Sequence, residues 1–188
     1  MGETDFFDVA FSRQSDRAFD KERPVEKEKI ERILDAARMA PSACNAQPWH
    51  FVVVNEPELR DKVADATSAR ALGMNHFTKQ APVHILLVEE RVNISSGFGG
   101  WVKKKDFAQM DLGIAAAHMV LAARAQGLGS CILGWFDESK IRKLLDIPNN
   151  KRVWLDVVIG YSTQHLRNKK RKPIDKVVSY NKYNNDKR

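Results

Sequence analysis

Cysteine is scarce in this 188-residue chain: only Cys44 and Cys131 occur, and they do not form a CxxC pair. With five histidines scattered at no zinc-type spacing, a structural metal is not expected. No apolar run reaches the ~18 residues that a membrane span needs. The N-terminal MGETDFFDVAF lacks the basic and apolar stretches of a secretory leader. Phe6 stands where an N-myristoylation signal wants Ser or Thr. The expectation is a reduced, cytoplasmic setting with no membrane partner. Internal repeats, low-complexity tracts and linkers are also missing, so residues 1–188 read as one domain of ordinary size. A chain of this length buries roughly 70% of its unfolded surface and needs no staple.

Signatures that place reactivity on the protein itself are missing as well. There is no GxSxG nucleophile turn and no GxxxxGK[ST] phosphate loop. The cluster Gly97-Phe-Gly-Gly100 neither follows a strand nor opens a helix, so it reads as loop and not as a dinucleotide fingerprint. Neither cysteine has a base visible beside it, and both read as inert packing residues. The alternative at Cys44 is a thiol close to a bound cofactor.

What is present in excess is positive charge, and it is local. Lys and Arg outnumber Asp and Glu by 31 to 24, yet residues 163–188 hold nine basic against two acidic side chains. The rest of the chain balances at 22 against 22. Such a tail is a solvated terminus, a nucleic-acid patch, or one wall of an anion site. Aromatic residues interleaved with its charges are limited to Tyr180 and Tyr183, so nucleic acid is not the expected partner.

Periodicity gives a coarse order of elements. Glu26–Ala40 reads as a helix with Ile30, Ile33, Leu34 and Ala37 on one face, ended by Pro41. His50–Val54 is a β-branched strand, and Pro57 to about Leu72 is helical. Val83–Val88 (VHILLV) is apolar enough for a strand buried on both faces. Residues 91–105 lose all pattern and read as an exposed loop. Asp106–Gln126 is the longest helix, with Phe107, Met110, Ile114, Ala117, His118, Leu121 and Ala125 in period. Its many alanines suit a central position or a subunit interface. Ser130–Leu133 is a third strand, Asp137 caps a helix to Leu145, and Trp154–Tyr161 is a fourth strand. One sheet with helices, α/β or α+β, follows.

Several stretches, in order, carry a family likeness. They are Arg13-Gln-Ser-Asp-Arg17; Ala36–Phe51 (AARMAPSACNAQPWHF); Gly127–Trp135 (GLGSCILGW), with Leu145–Pro148 and Ile159–Tyr161; and Lys169–Pro173, with Tyr180–Tyr183. Together they resemble the flavin-dependent nitroreductase family over nearly the whole chain. PSxxNxQPW is the most specific of them. The resemblance implies an α+β sandwich, a central and mainly antiparallel sheet flanked by helices, in an intertwined homodimer with FMN at the subunit interface.

By the same resemblance, Arg13, Ser15, Lys169 and Arg171 hold the FMN phosphate and ribityl chain, with Gln14 between them. Guanidinium forks match a phosphate bidentately. Arg17 places a fixed cation beside the flavin pyrimidine ring, where it favours the reduced form; its plain alternative is an ion pair with Asp16 or Asp20. Pro41, Ser42, Ala43 and Asn45 reach the partner subunit's flavin. Ile132, Leu133 and Gly134 lie along the ring by their backbone, and Asn75 adds a polar contact. Trp49 and Trp135 are read as core, with substrate stacking as the alternative. Phe98 and Trp101 are candidate substrate-contacting lid aromatics, and Lys103–Lys105 either attract an anionic donor or are solvated.

The implied activity is that of an oxidoreductase in which FMN takes a hydride from NADH or NADPH. A small acceptor, such as a nitroaromatic or a quinone, is then reduced in ping-pong fashion. No side chain is assigned as catalytic acid or base. The alternatives are a non-catalytic flavin sensor and a variant flavin chemistry: enone reduction, dehalogenation or flavin breakdown. A metal or thiol enzyme fits least.

Overall fold

The computed structural model describes residues 5–68, 73–90 and 107–183. The VHILLV run becomes β2 (Val83–Glu89), and every residue from Val83 to Val88 is buried. It is buried because it is central. The sheet runs in the order β1 (Trp49–Val54), β2, β4 (Arg152–Gly160), β3 (Gly129–Leu133), and each neighbouring pair is antiparallel. The fold is α+β, as expected.

Alternation along β2 sorts the core into two layers. Val83, Ile85 and Leu87 face α2 (Lys27–Arg38) and α4 (Phe107–Ala125), meeting Ile30, Ile33, Leu112, Ala116 and Met119. Leu86 and Val88 face α3 (Pro57–Thr67) and α5 (Glu138–Leu144), meeting Val63, Ala66 and Ile141. A bulge keeps both layers filled. Leu87 pairs with Leu155 but Val88 with Val153, so Trp154 is the extra residue. Val157 and Ile159 therefore face the α2/α4 layer while Val153 reaches the α3/α5 layer, a change of face that strict alternation forbids.

Caps account for several element ends. Asp137 Oδ1 accepts from Lys140 N at 3.0 Å to start α5. Glu56 accepts from Glu58 N and Leu59 N ahead of Pro57, which opens α3. That helix ends at Thr67, short of the expected Leu72; residues 69–72 lie outside the described part. A short helix, α1 (Phe6–Ser12), stands where the sequence pattern gave none; Asp5 caps it by accepting from Phe7 N at 3.2 Å.

The strand face that apolar composition concealed carries a polar pair. His84 and Asp156 are fully buried on adjacent strands, with Nδ1 2.7 Å from Asp156 Oδ2 and Nε2 3.3 Å from the Thr78 carbonyl oxygen. Helix α4 is apolar all round, and its two faces have different fates. The buried face is Leu112, Ala115, Ala116, Met119, Val120 and Ala123, with Asp111. The periodic set read from the sequence is the other face, on which Met110 is 53% and Ile114 37% exposed. Among the described residues no helix is long and apolar enough to cross a membrane.

Gly160 closes the end of β4 by close approach. A Cβ there would lie 2.6 Å from Pro82 Cδ and 3.1 Å from Phe19 Cδ1. Gly160→Ala is expected to cost about 1–3 kcal/mol by overpacking, read as a lower urea midpoint at unchanged slope. An unchanged midpoint contradicts this packing.

Candidate functional site

β3 is an edge strand, and an uncovered edge exposes unpaired backbone. Residues 13–20 cover it. Ser15 bridges Ser130 in parallel, and Asp16 N donates to the Ser130 carbonyl at 2.9 Å. Further on, Asp20 N donates to the Tyr161 carbonyl at 2.9 Å and Phe19 bridges Ser162. Extended geometry sends alternate side chains to opposite sides. Gln14 and Asp16 turn inward and are buried, while Arg13, Ser15 and Arg17 keep partial or full exposure.

The inward side chains tie in the chain that follows β4. Gln14 Nε2 donates to Asp16 Oδ1 at 2.9 Å and to the His165 carbonyl at 3.2 Å. Gln14 Oε1 accepts from Arg167 N at 3.1 Å. Arg167 Nη2 donates to the Ser15 carbonyl at 2.6 Å, and Arg17 N to Gln164 Oε1 at 2.6 Å. Gly129 makes room for this junction: a Cβ there would sit 2.7 Å from Ser162 Cβ and 2.9 Å from Asp16 Oδ2.

The result is one pocket of about 270 Å³ in which Arg13, Gln14, Ser15 and Arg17 face Lys169 and Arg171. Among the described residues, no acidic side chain lines it. Among the described residues, Arg13, Arg17 and Lys169 have no ion-pair partner, so the expected alternative of Arg17 paired with Asp16 or Asp20 does not form. Burial holds Lys169 below the usual lysine range, and the charges of Arg13, Arg171 and Arg124 push the same way. Like charges gathered without a counterion make an anion site. Gln14 differs from its expected role in one respect: its amide is already committed to Asp16, His165 and Arg167.

Beyond Arg17 the surface continues along β3. Ile132 is 39% exposed, whereas Leu133 is buried and offers only backbone. Among the described residues a Cβ at Gly134 would meet nothing nearer than Leu155 Cδ2 at 3.9 Å, so none of them requires glycine there. Asn75, in the left-handed conformation with φ 59°, donates from Nδ2 to the Thr67 carbonyl at 3.1 Å and lies 3.5 Å from the Trp135 carbonyl oxygen. It thus joins the 132–134 end of the surface. Trp49 packs on the core against Phe51. Trp135 does not: it is 46% exposed beyond the strand end, correcting its reading as core. Cys131 is buried, and burial pushes its thiol up, as an inert cysteine requires.

Pro41–Asn45 lies elsewhere. The turn at Ala43–Asn45 is held to α4, where buried Asp111 Oδ2 accepts from Ala43 N at 3.1 Å. Gln47 closes it, donating to Ser42 Oγ at 2.9 Å and to Asn45 Oδ1 at 3.2 Å. Cys44, Asn45 and Gln47 all have positive φ, of 52°, 54° and 48°. This backbone leaves Cys44 exposed, so its reading as a buried packing residue is corrected. The cationic pocket is at the opposite end of α4, where Arg124 Nε donates to Ser12 Oγ at 2.8 Å. Asp111 and Arg124 are about 20 Å apart at 1.5 Å per residue. The single chain does not bring Ser42 or Asn45 to the pocket.

Phe98, Trp101 and Lys103–Lys105 lie outside the described residues. Three contributors escaped sequence reasoning: Asp16, Asp111 and Arg167. Asp16 had a signal, since it stands in the middle of the Arg13–Arg17 stretch. Asp111 had a weaker one, a lone carboxylate in an apolar helix.

Comparison with known proteins gives the same direction. The nitroreductase family profile matches residues 10–75 and 68–161. The chain is 29% identical to the NADH dehydrogenase of Thermus thermophilus over 196 residues, covering 90% of this chain and 93% of that one. It is 28% identical to the oxygen-insensitive NADPH nitroreductase of Helicobacter acinonychis, covering 89% and 92%. Among solved structures, an FMN-dependent nitroreductase of Clostridium difficile superposes with a TM-score of 0.73 at 29% identity, over 93% of this chain and 98% of that one.

Because burial, and with it the neighbouring cations, disfavours the charged form, Lys169 opposes folding while it is protonated, below its lowered pKa. Lys169→Gln is therefore expected to raise the melting temperature of the flavin-free protein at low ionic strength. The gain should shrink as salt is added. A lower melting temperature would show that Lys169 has a compensating anionic neighbour.

Proposed function

The chain belongs to the nitroreductase family, and we propose that it works as an FMN-dependent homodimer, each chain a single domain. Electrons from NAD(P)H reduce a small acceptor such as a nitroaromatic or a quinone. As a family member it is an NAD(P)H-dependent oxidoreductase of the nitroreductase type. The observation that carries the FMN reading is the pocket in which Arg13 meets Lys169 and Arg171 with no acidic side chain among the described residues that line it. A near-dianionic phosphate offsets both the burial and the neighbouring positive charges that hold Lys169 low.

When bound, FMN supplies hydride acceptance from NAD(P)H and release of the electrons to an acceptor after the donor has left. The chain supplies position and field. Arg13, Lys169 and Arg171 hold the phosphate, and Ser15 offers its hydroxyl to the ribityl chain. Gln14 contributes chiefly by fixing Arg167. Arg17, exposed and without an ion-pair partner among the described residues, presents a fixed positive charge farther along, where it favours the reduced cofactor. Asn75, Ile132, Leu133 and Gly134 border the ring, with Gly134 leaving room for close approach. No side chain is assigned as acid or base.

The exposed face of α4 supports a second copy. Met110, Gly113, Ile114 and Ala117 form an exposed apolar face, and α1 beside it exposes Phe6, Phe7 and Phe11. An apolar face of this kind marks an interaction surface. A two-fold axis through the middle of α4 sets the Asp111 end of one copy beside the Arg124 end of the other. That arrangement delivers Pro41, Ser42, Ala43 and Asn45 of one chain to the cofactor held by its partner, which the single chain cannot do. Two cysteines left free, Cys44 and Cys131, support a reducing cytoplasmic setting.

Purified protein is expected to be yellow, to bleach anaerobically with NADH or NADPH, and to regain colour with menadione. A preparation that stays colourless with added FMN removes the cofactor reading. Ile114→Asp is expected to give monomers by sedimentation that have lost FMN. A monomer retaining full FMN affinity removes the shared site.

A further inference from the structure

We infer that Asp16 is a positioning residue that shapes the anion pocket against the effect of its own charge. The inference rests on the reading of that pocket as the FMN phosphate site. Asp16 sits between Arg13 and Arg17 in the chain, is 5% exposed, and is not among the residues lining the pocket. Its carboxylate is turned toward the junction beneath.

Three donors converge on it from three stretches of chain. Gln14 Nε2 donates to Oδ1 at 2.9 Å, Ser162 Oγ to Oδ1 at 2.7 Å, and Ser130 N to Oδ2 at 3.3 Å. Gln14, oriented by that bond, accepts from Arg167 N at 3.1 Å and so sets where the chain toward Lys169 and Arg171 departs. Ser130, on the edge strand, fixes the segment that carries Arg13, Ser15 and Arg17. One carboxylate therefore joins both walls of the pocket. The absence of a Cβ at Gly129 is what lets it approach.

The electrostatic effect of Asp16 has the opposite sign. A negative charge beneath a cationic pocket weakens the field that attracts phosphate. Asparagine has nearly the same shape but a single acceptor oxygen, and its amino group must point either at Ser130 N–H or at the Gln14 and Ser162 donors. Donor then faces donor in a buried place. Removing the charge strengthens anion binding; losing the junction weakens it. The sign of the change separates the two roles.

The test uses full-length, flavin-loaded protein, with dissociation constants for FMN and for riboflavin read from flavin fluorescence at fixed ionic strength. Asp16→Asn is expected to weaken FMN about tenfold, the scale of one lost charge-assisted hydrogen bond, and to weaken riboflavin, which has no phosphate but still meets Ser15 and Arg17, by clearly less. Ser162→Ala removes one donor without changing charge and is expected to weaken FMN about threefold, less than the full bond because the Gln14 and Ser130 donors still hold the carboxylate, again with a smaller effect on riboflavin. Tighter FMN binding by Asp16→Asn overturns the inference, as do proportional losses of FMN and riboflavin, which indicate general damage. If Asp16→Asn does not fold, unchanged or tighter FMN binding by Ser162→Ala overturns it. A wild-type protein that prefers FMN no more than riboflavin fails on a separate measurement: it removes the phosphate reading itself.

Discussion

Like charges repel, and this protein gathers Arg13, Lys169, Arg171 and Arg124 from distant parts of its sequence into one neighbourhood. Such a gathering persists only when something other than charge holds the backbones together. Here it is the covering of an edge strand. Residues 13–20 lie along β3 because its outer backbone groups need partners, and the chain leaving β4 joins them through Asp16, Gln14 and Arg167. Hydrogen bonding and close glycine contact at Gly129 fix the geometry, and the cations ride outward on the alternate positions. The pocket is thus a by-product of finishing the sheet.

What the sequence made legible follows from which interactions are local. The buried run at Val83–Val88, the cap at Asp137 and the stop at Pro41 depend on a few neighbouring residues, and all stand where pattern places them. The antiparallel order of the sheet and the meeting of Arg13 with Lys169 came through resemblance and not through periodicity. What periodicity misread depends on distant contacts. A helix apolar on every side carries no moment to say which face meets the sheet: the sheet takes Leu112, Ala116 and Met119, and the periodic set Met110, Ile114, Ala117 lies on the exposed face. Trp135 is aromatic but lies past the end of its strand, and Cys44 sits on a left-handed turn that carries it outward.

Buried polar residues were the least legible. His84 reads as one member of an apolar strand, and only the β2–β4 register brings it to Asp156. Asp111 and Asp16 each look like an ordinary surface acid in one dimension. In three, each receives donors from a segment far away in sequence, at Ala43 in one case and at Ser130 and Ser162 in the other. A buried carboxylate is costly unless its oxygens are satisfied, so both places are specified by their partners and have no pattern of their own.

These two acids also define the scale of the active unit. Asp16 organises the cationic end and Asp111 anchors the Ser42–Asn45 turn, yet α4 holds the two ends about 20 Å apart. A single chain holds the Arg13–Lys169 pocket and the Ser42–Asn45 turn away from each other. The same helix that separates them exposes an apolar face, and in the proposed dimer that face meets a second copy related by a two-fold axis, which sets each segment beside its complement. On this reading, the covering of α4 and the completion of the cofactor site are one event. Weakening the interface and weakening FMN binding then become the same perturbation, seen by two measurements.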